Sequence, residues 1–107
     1  MTHLKENPTL ADLQEYMQKV CEERGWDNSN PLELFLLFGE EVGELAKAIR
    51  NMRGLYQEEA KKDRKFELEE EFADVLGYLL DLANHFQIDL EAAFRKKEAI
   101  NAQREWN

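Results

Sequence analysis

The stretch from Leu34 to Met52 reads LFLLFGEEVGELAKAIRNM, and the fold is organised around it. Apolar residues recur in it at intervals of three and four, which is the period of an amphipathic α-helix. Glu41 falls inside the apolar face, between Leu37 and Leu45, and Glu44 lies at its edge one turn later. A carboxylate on a buried face is costly unless a partner compensates its charge. The stretch therefore predicts a core helix, and it raises the question of what compensates Glu41.

The rest of the sequence has the composition of one small helical domain. Its 107 residues fit a single domain, 1–107, in which residues 1–8 read as a flexible arm. Hydrophobic residues make up 43% and charged residues 35%, which is typical of a globular chain. The net charge of −9 argues against a nucleic acid polymer or an anionic membrane as partner. Cys21 is the single cysteine, so no internal disulfide can form and a cytoplasmic protein is expected.

Four helices with short connections are predicted, and they indicate an all-α, four-helix-bundle-like fold. Side chains suited to the N-cap precede three of them, namely Thr9, Asn30 and Asp89. The predicted bounds are Leu10–Arg24, Pro31–Met52, Phe66 or Glu67 to His85, and Leu90 to about Glu105.

Two segments of the predicted bundle need a further interpretation. The second helix begins apolar on nearly every side, at Leu32, Phe35 and Leu36, which in so small a domain indicates a second subunit. The segment Leu55–Lys65 is highly charged and weakly periodic. A solvated loop or an exposed helical turn is the favoured interpretation of this segment, and a lid over an anionic ligand is the alternative.

The third predicted helix has an apolar face and a polar face. The apolar face is predicted to be buried and carries Leu68, Phe72, Val75, Leu76, Leu79, Leu82, Ala83 and Phe86. The opposite face carries Glu67, Glu71, Asp74, Tyr78, Asp81 and His85.

Two pairs of acidic residues occur at a spacing of three, one pair on each of the two central helices. Glu41 and Glu44 lie on the second helix, and Glu71 and Asp74 lie on the third. Residues three apart on a helix are neighbours on one face, so packing of the two helices could gather four carboxylates. Four such groups cannot all ionise without a counter-charge, which Mg²⁺ or Mn²⁺ would supply. Solvated or salt-bridged acids are the alternative, because Asp74 lies on the predicted polar face.

The inward face of the fourth predicted helix changes from apolar to cationic along its length. Its first half carries Leu90, Ala93 and Phe94, and its second half carries Lys97, Asn101 and Arg104. Lys and Arg could bind phosphate oxygens, and the Asn amide could contact a base or a ribose. A solvated helix end, where cations suit the helix dipole, is the alternative.

The acidic pairs and their surroundings resemble a known family. FGEEVGELAKAI followed by EEFADVLGYLLDLANHFQIDLEAAF is similar to the MazG family of all-α nucleoside triphosphate pyrophosphohydrolases, over roughly Trp26 to Trp106. The family pattern, E-x-x-E on one helix and E-x-x-D on the next, falls on Glu41, Glu44, Glu71 and Asp74. The resemblance implies Mg²⁺-dependent cleavage of (d)NTPs to (d)NMP and pyrophosphate, as in cleaning of the nucleotide pool. It also implies an obligate homodimer or a dimer of dimers, a homotetramer.

The resemblance extends to individual residues outside the acidic pattern. Family members share the terminal K-x-x-x-N-x-x-R arrangement of Lys97, Asn101 and Arg104. Relatives also place aromatic residues beside the nucleotide at the positions of Tyr78 and Trp26, although a simple hydrophobic lid is the alternative for Trp26.

A carboxylate that holds no metal could orient or deprotonate the attacking water, and Glu40 and Glu70 are the candidates. Two other functions stay open at this point. One is a non-catalytic helical dimer that binds nucleotide, metal or a protein partner through the same face. The other is a related pyrophosphatase that acts on a specialised nucleotide, such as phosphoribosyl-ATP or a modified deoxynucleotide.

Overall fold

A computed structural model of the chain describes residues 1–54 and 64–104. The described residues form four α-helices and no strand, namely α1 (Leu10–Arg24), α2 (Pro31–Met52), α3 (Arg64–His85) and α4 (Leu90–Ala102). The all-α prediction is confirmed, and the bounds of α1 and α2 are those that the sequence indicated. Most of the predicted charged loop, 55–63, lies outside the described residues. None of the described helices is long and apolar enough to cross a membrane.

Three helices begin at the predicted capping residues. Thr9 Oγ1 accepts a hydrogen bond from the Asp12 N–H at 3.0 Å, and the Asp12 carboxylate accepts one from the Thr9 N–H at 3.0 Å. Asn30 caps α2 and Asp89 caps α4 through side-chain oxygens that accept first-turn N–H groups at 2.9 and 3.0 Å. At the other end of α1, Gly25 takes a φ of 70°, in the left-handed region that glycine tolerates.

Two helix ends differ from the prediction. α3 begins at Arg64 rather than at Phe66 or Glu67, because Arg and Lys are good helix formers and the helix extends back through them. α4 ends at Ala102 rather than near Glu105, which itself lies outside the described residues. The N–H groups of Gln103 and Arg104 bond to carbonyls three residues earlier, the tighter pattern in which helices often end. Arg104 therefore lies beyond α4 and does not continue its face.

One compact unit combines Met1–Asn28 with the chain from Leu80 onward. In it α1 packs against α4, and its core side chains Val20, Cys21 and Leu80 are each only 3% exposed. Cys21 is thus the small buried residue expected of a lone cysteine.

The N-terminal arm makes two contacts to α1. The Thr2 N–H donates to the Glu23 carboxylate at 2.8 Å, and the Lys5 ammonium contacts Asp12 at 2.9 Å. Both contacts are solvent-exposed, and an exposed ion pair contributes little to stability.

The buried side-chain amide of Gln14 connects the two chain segments of this unit. The Gln14 Nε2 donates to the Asn84 Oδ1 at 3.1 Å and to the Ile88 carbonyl at 2.8 Å, and its Oε1 accepts from the Leu90 N–H at 2.9 Å. The Asn84 Nδ2 donates back to the Gln14 carbonyl at 2.9 Å. Gln14 thus fixes the α3–α4 connection against α1 and satisfies a first-turn N–H of α4.

The second compact unit spans Ser29–Leu79 and contains α2 and most of α3. Leu34 and Ala48 are buried on α2, and Phe38, Glu41 and Leu45 between them are half-buried. These positions advance by alternate steps of four and three, so they form one face of the helix. The prediction that Glu41 lies within this face is confirmed.

The burial of α3 differs from the predicted division into two faces. Four residues of the predicted buried face are exposed, namely Phe72, Leu76, Leu79 and Phe86. Five residues of the predicted polar face are half-buried, namely Glu67, Glu71, Tyr78, Asp81 and His85. The reason lies partly in the contact of Glu71 with Glu41 on α2, which turns the acidic side of α3 inward. A wide apolar arc cannot all be covered by so small a chain, so part of it stays at the surface.

Candidate metal centre

Three of the four residues in the two predicted acidic pairs place their carboxylates close together. Glu41 on α2 and Glu71 and Asp74 on α3 each place a carboxylate oxygen within 4.8 Å of the other two. Glu41 and Glu71 are half-buried, whereas Asp74 is exposed. We call these three residues the carboxylate triad; it lies wholly within the unit of Ser29–Leu79.

The surroundings of the carboxylate triad raise the pKa of two of its members. Burial contributes most to the raised pKa of Glu41, followed by the negative charge of Asp74. Burial also contributes most to the raised pKa of Glu71, followed by the charge of Glu41. Without a cation, burial and mutual repulsion thus disfavour full ionisation of the two glutamates.

A divalent cation fits the carboxylate triad on chemical grounds. The Oε2 atom of Glu71 is buried, and it accepts no hydrogen bond from any described residue. Buried polar atoms are nearly always paired, so this oxygen is available for a ligand. All three donors are carboxylate oxygens on helices, a set that suits Mg²⁺ or Mn²⁺ better than Zn²⁺.

The other predicted acids surround the carboxylate triad without joining it. Glu44 is exposed, and its charge raises the pKa of both Glu41 and Glu71. Glu40 is exposed and raises the pKa of Glu41, and Glu70 is exposed on α3. Glu44, predicted as a metal ligand, therefore lies close to the triad, but its carboxylate is not part of it.

A polar cleft adjoins the carboxylate triad within the same unit. Its volume is about 240 Å³. Its lining residues are Glu44, Lys47, Ala48, Asn51, Glu67, Glu70 and Glu71. Glu71 belongs to both, so the triad and the cleft are continuous.

The interpretation of the sequence missed four of the cleft residues, namely Lys47, Ala48, Asn51 and Glu67. Helical spacing could have identified the three that lie on α2. Lys47, Ala48 and Asn51 lie three, four and seven positions after Glu44, and such positions share one side of a helix.

Tyr78 is the one predicted substrate contact that lies in the unit of the carboxylate triad. It is half-buried on α3, four residues after Asp74. Residues four apart are neighbours on a helix surface, so Tyr78 flanks the acidic side of α3.

The remaining predicted substrate contacts belong to the other unit. Lys97 is exposed on α4, and Asn101 is half-buried with its amide donating to the Glu98 carboxylate at 3.0 Å. Arg104 follows the end of α4. Trp26 is 54% exposed, and the Arg24 guanidinium lies over its ring at 4.9 Å from the centroid. One ring face thus makes a cation–π contact. Because more than half of the side chain is exposed, Trp26 is not a buried hydrophobic residue.

The fold and the carboxylate triad together are those of an all-α protein with carboxylates placed for a divalent cation. Comparison with known families narrows this class. The family model for the MazG nucleotide pyrophosphohydrolase domain matches residues 29–103, which include the whole triad and the cleft. The chain belongs to this family, as the resemblance of its acidic motifs indicated.

Individual relatives agree with the family assignment. Human dCTP pyrophosphatase 1 is 35% identical over 91% of this chain, which spans 59% of that protein's length. The uncharacterised protein YvdC of Bacillus subtilis is 36% identical over 77% of this chain and 82% of its own. The crystal structure of YpjD from Bacillus subtilis superimposes with a TM-score of 0.79 at 29% identity, covering 94% of this chain and 100% of that one.

Proposed function

We propose that this chain is a divalent-cation-dependent hydrolase that cleaves (d)NTPs to (d)NMP and pyrophosphate, a reaction suited to cleaning the nucleotide pool. The observation that carries the proposal is the meeting of Glu41, Glu71 and Asp74 within 4.8 Å. Family membership and the name of the dCTP pyrophosphatase relative support the reaction class.

In this proposal the carboxylate triad binds Mg²⁺, or Mn²⁺ in its place. Glu44 is the proposed fourth ligand, because it lies one turn after Glu41 and close enough to raise the pKa of both glutamates. A bound cation supplies Lewis-acid stabilisation of the phosphate oxygens at this site. The half-buried positions of Glu41 and Glu71 limit bulk water around them, which strengthens their attraction for a cation.

Glu70 is the proposed general base. It lines the cleft beside Glu71, yet its carboxylate lies outside the carboxylate triad and is available to accept a proton from water. Glu40 is the second candidate, and its position outside the cleft lining favours it less.

The proposed substrate contacts combine one residue near the triad with others from the resemblance. Tyr78 flanks the triad on α3, and Trp26, Lys97, Asn101 and Arg104 are proposed from their positions in the family pattern. A homodimer or homotetramer is part of the same proposal.

Pyrophosphate release from a panel of nucleoside triphosphates, with Mg²⁺, with Mn²⁺ and with a chelator, tests the proposed function. We expect equal amounts of monophosphate and pyrophosphate with either cation, and no release with the chelator. The panel includes dCTP and specialised nucleotides, which separates a general activity from a narrow one. Nucleotide binding without turnover across the panel would contradict the proposal and favour a non-catalytic binding dimer.

A further inference from the structure

We propose that Lys47 binds phosphate oxygens of the nucleotide in the cleft beside the carboxylate triad. This inference rests on the proposed function and adds a residue to it. Lys47 lies on α2 three residues after Glu44, and it lines the same cleft as Glu44, Glu70 and Glu71. It is the one cationic residue among the described residues that line the cleft.

A lysine beside a cation site has a cost that calls for an explanation. Its ammonium repels the cation that the triad would bind, and it competes with that cation for the same carboxylates. Burial of apolar surface does not explain the residue, because Lys47 is exposed. The side chain therefore weakens cation binding, and a contribution to another step would explain its presence.

That step can be the binding of phosphate oxygens, because the charge balance of the cleft changes when cation and nucleotide are bound. The carboxylates of Glu44, Glu67 and Glu70 line the same cleft, so their negative charges can offset that of Lys47 when no ligand is bound. When cations occupy the carboxylates and a triphosphate enters, the surplus charge in the cleft belongs to phosphate oxygens. A lysine has three donors on a flexible stem and binds such oxygens as a point charge.

A simpler explanation is that Lys47 only balances the excess of glutamates. The two explanations agree on cation binding and differ on phosphate binding. Both predict that removing the ammonium tightens binding of a cation alone. Only phosphate binding by Lys47 predicts that the same change weakens binding of pyrophosphate at saturating cation.

The test uses Lys47→Met in the complete chain, with two affinities measured by titration calorimetry. We expect the affinity for Mn²⁺ alone to rise by about threefold or more, since a nearby repulsive charge is removed. We expect the affinity for pyrophosphate at saturating Mg²⁺ to fall by about tenfold, as for loss of a charge-assisted hydrogen bond. Lys47→Arg keeps the charge and should restore most of the pyrophosphate affinity.

Lys19→Met is the matched control, because Lys19 is exposed on α1 and outside the cleft lining. It makes the same change in net charge and should leave both affinities unchanged. Unchanged pyrophosphate affinity in Lys47→Met, or an equal loss in Lys19→Met, would overturn the inference. Failure of the proposed function would look different: the parent chain would bind pyrophosphate and Mn²⁺ without hydrolysing any nucleotide. A parent chain that does not bind pyrophosphate would overturn the role of Lys47 as well.

Discussion

At the scale of single residues, the chemistry centres on two glutamates that cannot both ionise cheaply. Burial followed by neighbouring negative charge raises the pKa of both Glu41 and Glu71. The folded chain therefore binds protons at these carboxyls more tightly than the unfolded chain does. A divalent cation would compete with those protons, which couples binding of the cation to pH.

The first prediction concerns the pH dependence of stability without metal. Because the pKa of Glu41 is raised on folding, its contribution is complete below the ordinary value of 4.5 and is lost as pH rises through the folded value. Glu41→Gln stays neutral, so it should gain stability relative to the parent as pH rises. Urea unfolding of both proteins in chelator from acid to neutral pH measures this difference. A difference that stays constant with pH, or one that shrinks as pH rises, would contradict the raised pKa.

The acidic residues show how far the sequence alone predicts a site of this kind. The spacings of Glu41 with Glu44 and of Glu71 with Asp74 indicate that packing of the two helices could gather these carboxylates, and they leave solvated acids as the alternative. Spacing fixes the direction of each Cβ and leaves the side-chain torsions and the interhelical distance open. The separation of Glu44 from the carboxylate triad therefore required the structure.

At the scale of helices, local sequence signals predict most of the helix starts and few of the helix ends. Thr9, Asn30 and Asp89 are visible as caps because their side chains bond to N–H groups only three residues away. The end of α4 carries no Gly or Pro that would mark it, so its predicted bound was too long. The inward face of α3 was also mispredicted, since it depends on which element packs there rather than on α3 itself.

A second prediction belongs to the connection between α3 and α4. Gln14→Ala removes an amide that bonds to the Asn84 side chain, the Ile88 carbonyl and the Leu90 N–H. Partly buried groups lose their partners, so we expect the free energy of unfolding to fall by about 2–4 kcal/mol. Gln18→Ala, an exposed position on the same helix, is the control and should change it by less than about 0.5 kcal/mol. Equal unfolding midpoints in urea for the two variants would show that the buried amide contributes nothing.

At the scale of the whole molecule, the surface of α2 is unusually apolar for a small chain. Leu32 and Leu36 are 70% and 66% exposed, and Phe35 and Phe38 stack near them with ring centroids 6.3 Å apart. Exposed apolar patches of this kind commonly mark contacts between proteins. The sequence predicted a second subunit at this helix, and that assembly stays a prediction.

The third prediction therefore concerns the oligomeric state. We expect light scattering after size exclusion to give the mass of a homodimer or homotetramer. Leu36→Lys should shift the population toward monomer, because it places a charge within the apolar surface. Gln18→Lys adds the same charge on α1 and should leave the mass unchanged. A parent chain that is monomeric at micromolar concentration would contradict the predicted second subunit.

The central claim is that Glu41, Glu71 and Asp74 together hold the cation on which pyrophosphate release depends. Its most direct test is the rate of pyrophosphate release at saturating Mg²⁺ by the parent, Glu41→Gln, Asp74→Asn and the control Glu69→Gln, an exposed residue outside the triad and the cleft. We predict a loss of more than about 100-fold in the first two variants, since even outer-shell partners of metal ligands are worth roughly 10–100-fold. Helicity by circular dichroism should be unchanged, and Glu69→Gln should match the parent. Parental rates in either Glu41→Gln or Asp74→Asn would contradict the claim.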